Sequence, residues 1–110
     1  MKLIAFTFFF FLATSGCKKE HNIPQCISEK ITSFSSSLVC QNGASVKEYS
    51  FQGGLVYVFS MGNCGADLSA GVYDSNCNYL GFLGGFTGNT KINGVEFSTA
   101  AVYKRTVWSN

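Results

Sequence analysis

The sequence predicts an α+β domain: one N-terminal amphipathic helix packed on a four- to five-stranded antiparallel meander sheet, stapled by two disulfides. Three observations predict it. Apolar residues recur at helical spacing over Ile27, Ile31, Phe34 and Leu38. Beyond Asn42-Gly43, short β-branched and aromatic runs alternate with Gly and Asn clusters. Four cysteines follow a fifth near the start, an even number in a chain whose opening reads as an export signal.

Each element has its own reason. Pro24 suits a helix's first turn, and the stripe of spacings 4, 3 and 4 spans about 12 residues. Ser35-Ser36-Ser37 weakens the end, and Asn42-Gly43 is a plausible stop. Val46 to Phe51 and Leu55 to Ser60 are strand-like runs joined by Gln52-Gly53-Gly54, a hairpin signature. In the second run Leu55, Tyr57 and Phe59 face one way, and Val56 and Val58 the other. With both faces apolar it is expected at the centre of the sheet, covered on one side by the helix. A Gly/Asn loop from Met61 to Ala70 leads to a third strand, Gly71 to Asp74. Ser75 to Asn78 turns the chain into a fourth, from Tyr79 to Phe82 or slightly beyond. Gly84-Gly85 and Gly88-Asn89 form a loop, Asn93-Gly94 another turn, and Ala101 to Trp108 a last strand.

The start of the chain carries an address. After Met1-Lys2 comes an apolar run from Leu3 to Leu12, then Ala13-Thr14-Ser15-Gly16 and Cys17. A basic start, an apolar core and small residues before a cut site make a secretory signal over residues 1–16. The run is too short for a transmembrane helix, which needs about 20 apolar residues. Ser-Gly-Cys resembles the lipobox of bacterial lipoproteins, with Thr14 where that family usually has an aliphatic residue. The resemblance implies that Cys17 is acylated and becomes the mature N-terminus. Two or more acyl chains, at roughly 0.8 kcal/mol per buried methylene, make a stable anchor. Residues 17–25 are then a lipidated tether, and 26–110 a single small domain. Lys18-Lys19-Glu20 resembles the start of Bacteroidetes-type outer-membrane lipoproteins, which implies the outer membrane and leaves its surface or periplasmic face open.

Removal of residues 1–16 from 110 leaves 94, enough for one small domain. The net charge of +2 falls to about +1 with the loss of Lys2. The remaining basic residues form no stripe, which argues against nucleic acid as a partner. Aromatics at 15% against charged residues at 13% make a folding composition.

With Cys17 assigned to lipid, Cys26, Cys40, Cys64 and Cys77 remain. Gaps of 14, 24 and 13 hold no C-x2-C pair, and His21, the one histidine, lies in the tether, so disulfides are favoured over zinc. Pairing Cys26 with Cys40 would cross a helix about 18 Å long, beyond the roughly 7 Å Cα limit. The antiparallel strand order favours Cys26–Cys77 and Cys40–Cys64.

Few residues suggest chemistry. Asp74-Ser75-Asn76-Cys77-Asn78 opens like a calcium loop, but Tyr79 and Gly85 stand where Gly and Glu are required. The glycine-rich stretch from Gly81 to Gly88 lacks the spacing and ending of a phosphate loop. A Ser/His or Cys/His nucleophile needs an imidazole on the domain, and His21 is not there. A carboxylate pair drawn from Glu48, Asp67, Asp74 and Glu96 is the remaining hydrolytic option. No catalytic, cofactor or metal site is assigned. Asp67, in the loop Asn63 to Asp67, with Phe82, Phe86, Phe97 and Trp108, makes the candidate interaction face, although most such aromatics serve as core.

The stretch YVFSMGNCGADLSAGVYDSNCNYLGFLGGFTGN at 57–89, with KING and the closing YKRTVW, resembles a family of small uncharacterised Bacteroidetes lipoproteins. The resemblance covers the chain from Cys26 on and implies export, lipidation and the cysteine framework, with no activity attached. Element order alone resembles the PepSY and β-lactamase-inhibitor-like folds, an analogy that carries no function. The expected protein is a membrane-anchored envelope lipoprotein, not an enzyme, acting as a binding or structural module toward an envelope protein or polymer. The alternatives are an inhibitor of a secreted enzyme, a carboxylate-based hydrolase, or a small-ligand pocket of at least about 300 Å³ between helix and sheet.

Overall fold

The computed structural model describes residues 23–37 and 39–110. The expected signal at 1–16, Cys17, the tether up to residue 22 and Leu38 of the helix stripe lie outside the described residues. The chain forms helix α1 (Gln25–Ser35), strands β1 (Ser45–Phe51), β2 (Gly54–Ser60), β3 (Ser69–Asp74), β4 (Tyr79–Gly84), β5 (Lys91–Ile92) and β6 (Val95–Glu96), a single turn α2 (Phe97–Ala100) and β7 (Val102–Ser109). Among the described residues the fold is mostly an antiparallel sheet of five strands, in the order β4-β3-β2-β1-β7, with β5 and β6 as a separate ribbon.

Pro24 directly precedes α1, and its carbonyl accepts the Ser28 N–H at 3.0 Å. The helix ends at Ser35, well before the expected stop at Asn42-Gly43. The serines explain this. Ser35 and Ser36 hydroxyls donate to the Thr32 carbonyl at 2.9 Å, and Ser37 to Phe34 at 2.6 Å, competing with the helical ladder. Ile27 is buried, and Ile31 and Phe34 pack with it against Val46, Tyr57 and Phe59. Gln25, Ser28, Glu29 and Thr32 face solvent.

The hairpin between β1 and β2 turns on Gln52 and Gly53, at φ 50° and 78°, the two left-handed positions that a two-residue turn requires. β2 sits at the centre of the sheet, as its doubly apolar pattern predicts. Tyr57 and Phe59 face α1, while Val56 and Val58 join Phe51 and Val72 on the opposite face.

The meander stops at β4. β7 does not continue it but returns to pair with β1 at the far edge, which corrects the expected strand order. Residues 85–101 make this crossing over the face that α1 leaves bare, and Ile92 and Phe97 complete the core with Phe51, Val56, Val58 and Val72. The physical reason is coverage. A simple hairpin extension would have left those valines in water, at about 25 cal/mol per Å² of apolar surface.

Cys26, in the first turn of α1, bonds Cys77 in the β3–β4 turn, with Cα atoms 6.1 Å apart. Cys40, between α1 and β1, bonds Cys64 in the β2–β3 loop at 5.6 Å. These are the pairs favoured by the antiparallel order, and they staple opposite ends of β2. Only glycine fits beside the second bridge. Gly62 has φ +105°, and a Cβ there would stand 2.7 Å from Cys40 Cβ.

Candidate functional site

The five expected interaction residues, Asp67, Phe82, Phe86, Phe97 and Trp108, do not form one face. Trp108 is half-buried on β7, its ring edge-on to Phe34 at 5.8 Å, and belongs to the core under α1. Phe97 is buried in the other core. Phe86 is 89% exposed in the turn after β4. Asp67 is exposed in the β2–β3 loop at φ 60°. The Gly85 N–H donates to the Leu68 carbonyl at 3.3 Å, so the Phe86 and Asp67 segments share the end of the sheet that holds Cys40–Cys64.

Phe82 belongs to a different feature. α1 packs over β2, β1 and β7, reaches Tyr73 of β3 through Lys30, and leaves a gap along the outer strands β3 and β4 on that face. The result is an open groove of about 460 Å³. Lys30, Ser33 and Phe34 of α1 form one wall, Phe59 and Met61 lie at the base, and Ser69, Gly71, Tyr73, Tyr79 and Phe82 form the other side. Tyr79 is 59% and Phe82 38% exposed. A relay of ring contacts ties this rim to the interior: Tyr79 to Tyr73 at 5.4 Å, Tyr73 to Phe59 at 5.3 Å and Phe59 to Phe34 at 5.3 Å. Such pairs contribute about 0.5–1.5 kcal/mol each beyond area burial, so the rings are held in place. Lys30 Nζ stands 4.2 Å from the Tyr73 ring centre, a cation–π contact.

Gly71 makes room for this groove. It pairs with Phe59 on one side and Phe82 on the other, and a Cβ there would meet the Tyr73 ring at 3.0 Å. Sequence reasoning missed Lys30, Tyr73 and Tyr79. The available signal was a glycine inside a strand, which marks a close approach.

A second cavity of about 530 Å³ lies on the opposite face, between the crossing segment and the sheet. Tyr49, Val58, Leu83 and Phe97 line it, with Glu96 and Thr90 at its polar side. Glu96 accepts the Thr90 hydroxyl at 3.0 Å and stands across the ribbon from Lys91.

Of the four carboxylates weighed for a hydrolytic pair, Glu48, Asp74 and Glu96 have separate engagements. Asp74 Oδ1 accepts the N–H groups of Asn76 and Asn78 at 2.9 Å, and Oδ2 accepts the Asn78 side-chain amide at 3.0 Å. The Asn78 amide and then its backbone N–H hold the Asp74 carboxyl below its usual range. These bonds occupy the oxygens that a calcium loop would offer to an ion. Among the described residues no group of three or more His, Cys, Asp or Glu is placed to hold a metal.

Glu48 is 5% exposed, at the middle of a cross-strand row of Tyr57, Glu48 and Arg105. It accepts the Tyr57 hydroxyl at 2.8 Å and the Arg105 guanidinium at 3.2 and 3.3 Å. Burial, then the hydrogen bond to Glu48, pushes the Tyr57 phenol up to about 12. A raised phenol favours the folded state while protonated. Its contribution is complete below pH 10 and is lost as the pH climbs to 12. Tyr49, raised by burial and by Tyr103, acts in the same direction. Unfolding free energy is expected to fall by about 2 kcal/mol more between pH 10 and 12 in the wild type than in Tyr57→Phe. Urea unfolding at a series of pH values checks this, and equal slopes in the two proteins would refute it.

Fold and sites together define a small disulfide-bridged domain, built on a two-faced antiparallel sheet with an aromatic groove beside its helix. Residues 32–110 match the family described as "Domain of unknown function (DUF6970)", and the chain belongs to that family. The match takes in three of the four bridging cysteines and begins inside α1, after Cys26. No curated protein and no solved structure matches the chain.

Proposed function

We propose that this protein is a lipid-anchored envelope lipoprotein of Bacteroidetes type that acts as a binding module, holding an envelope polymer in the groove between α1 and β3–β4. The observation that carries the reading is the exposed Tyr79 ring, braced through Tyr73 against a disulfide-stapled core, with the exposed Phe82 ring lining the same groove. Rigid aromatic surface binds at a small entropic cost. The signal and the Ser-Gly-Cys17 sequence support export and an acyl anchor at the outer membrane. Among the described residues no helix is long and apolar enough to cross a membrane.

The anchor also orients the domain. Eight residues, 18–25, reach at most about 28 Å when extended. An acyl group on Cys17 keeps the Cys26–Cys77 end near the lipid surface and directs the Cys40–Cys64 end, with Asp67 and Phe86, away from it. Phe86 supports a second reading, in which this outer end docks on a protein such as a secreted enzyme and inhibits it. A carboxylate-based hydrolase has the least support, because Glu48 and Asp74 are committed to internal bonds.

Two measurements test the proposal. Wild-type protein is expected to partition into detergent and Cys17→Ala into buffer. In co-sedimentation with isolated envelope polysaccharide, Tyr79→Ala/Phe82→Ala is expected to lose at least tenfold in binding while Phe86→Ala keeps it. The reverse pattern would move the site to the outer loops, and unchanged binding in both variants would remove the groove from the account.

A further inference from the structure

We infer that the groove is built for an acidic carbohydrate, with Lys30 pairing a sugar carboxylate and Tyr79 and Phe82 stacking on the apolar ring faces; this rests on the groove being the binding site. The charge inventory points there first. Among the described residues Lys30 is the one charged residue lining the groove, and no carboxylate or side-chain amide accompanies it. Among the described residues Lys30 forms no ion pair, and its contact is with the Tyr73 ring. The neighbouring carboxylate on α1, Glu29, accepts the Gln25 amide at 3.2 Å on the exposed side. A single ammonium is a point charge that balances one carboxylate. Lysine also binds phosphate as a point charge, but the planar arginine fork that favours bidentate phosphate recognition is absent among the described lining residues.

The other polar groups are the hydroxyls of Ser33, Ser69, Tyr73 and Tyr79. Each both donates and accepts, as sugar hydroxyls require. A wholly apolar guest would leave those four hydroxyls without partners, at about 1–3 kcal/mol for each one buried. A pyranose meets both demands, because its hydroxyls lie around the rim and its C–H faces are flat and apolar. The volume of about 460 Å³ falls in the range of small-ligand sites, and the open side lets a longer chain continue past it.

The test uses the intact protein and three pairs of oligosaccharides matched in linkage and differing in carboxylate against hydroxymethyl: β-1,4-linked oligoglucuronate with cello-oligosaccharide, α-1,4-linked oligogalacturonate with α-1,4-linked oligogalactose, and β-1,4-linked oligomannuronate with β-1,4-linked manno-oligosaccharide. Calorimetric titration is expected to show at least one acid bound tenfold or more tighter than its neutral partner, with affinity falling at least threefold from 0.05 to 0.5 M salt. Lys30→Gln is expected to erase that discrimination, and Lys30→Arg to restore most of it, while circular dichroism shows both variants folded. Equal binding of acid and neutral partners, or discrimination untouched in Lys30→Gln, overturns the inference. The groove itself then stands if Tyr79→Ala/Phe82→Ala still abolishes binding. Failure of all three acids to bind also overturns the inference, and the co-sedimentation result judges the groove separately.

Discussion

Replacing Cys26 and Cys77 together by alanine is expected to lower the unfolding free energy by about 4 kcal/mol and to release α1 from the sheet. The bridge spans 51 residues, and closing a loop of that length in the unfolded chain accounts for about 4 kcal/mol in the chain-entropy account. The shorter Cys40–Cys64 span of 24 residues corresponds to about 3.5 kcal/mol. Small domains have about 5–15 kcal/mol in total, so the longer bridge is a large share. Its position adds a local consequence. α1 has 11 residues, too short to be stable by itself, and holds to the sheet through Ile27, Ile31 and Phe34. Trp108 stacks edge-on against Phe34 and reports their separation. Urea unfolding followed by Trp108 fluorescence reads both effects. A loss under 1 kcal/mol with unchanged native fluorescence would mean that packing alone retains the helix, and with it the wall that carries Lys30.

Arg105→Met is expected to cost about 3 kcal/mol, because it strands the Glu48 carboxylate between three strands. Full burial of both partners would put the loss at the upper end of about 3–5 kcal/mol. The Arg105 side chain is 30% exposed, and water screening brings the figure down. Glu48→Gln in the same chain removes the stranded charge and keeps an acceptor for the Tyr57 hydroxyl. The double variant is therefore expected to recover about 2 kcal/mol of the loss. A double-mutant cycle by urea unfolding measures the coupling. A single-variant loss below 0.5 kcal/mol would show that the row is not a buried ion pair in solution.

How much of this was legible beforehand differed by element. Ile27, Ile31 and Phe34 carry a local period, and Gln52-Gly53 carries the chemistry of its turn, so helix and hairpin could be read directly. The cysteine pairs followed from alternating strand direction. Glu48 read as a surface group or half of a catalytic pair, since nothing local marks a carboxylate whose partners, Tyr57 and Arg105, lie 9 and 57 residues away. The aromatic candidates divided for the same reason. Phe82, Phe97 and Trp108 look alike in sequence, and only their position across the sheet separates a groove wall from the two cores.

The amino-acid order by itself determined the helix stripe, the strand segments, the β1–β2 turn and the disulfide pairs, because each depends on spacing along the chain or on simple alternation. The tertiary structure decided that β7 closes beside β1, that residues 85–101 cover the second face, and that α1 covers β3 and β4 only in part. Those outcomes come from competition among distant surfaces for burial, which no local period encodes. The groove is the part of the sheet that this competition left uncovered.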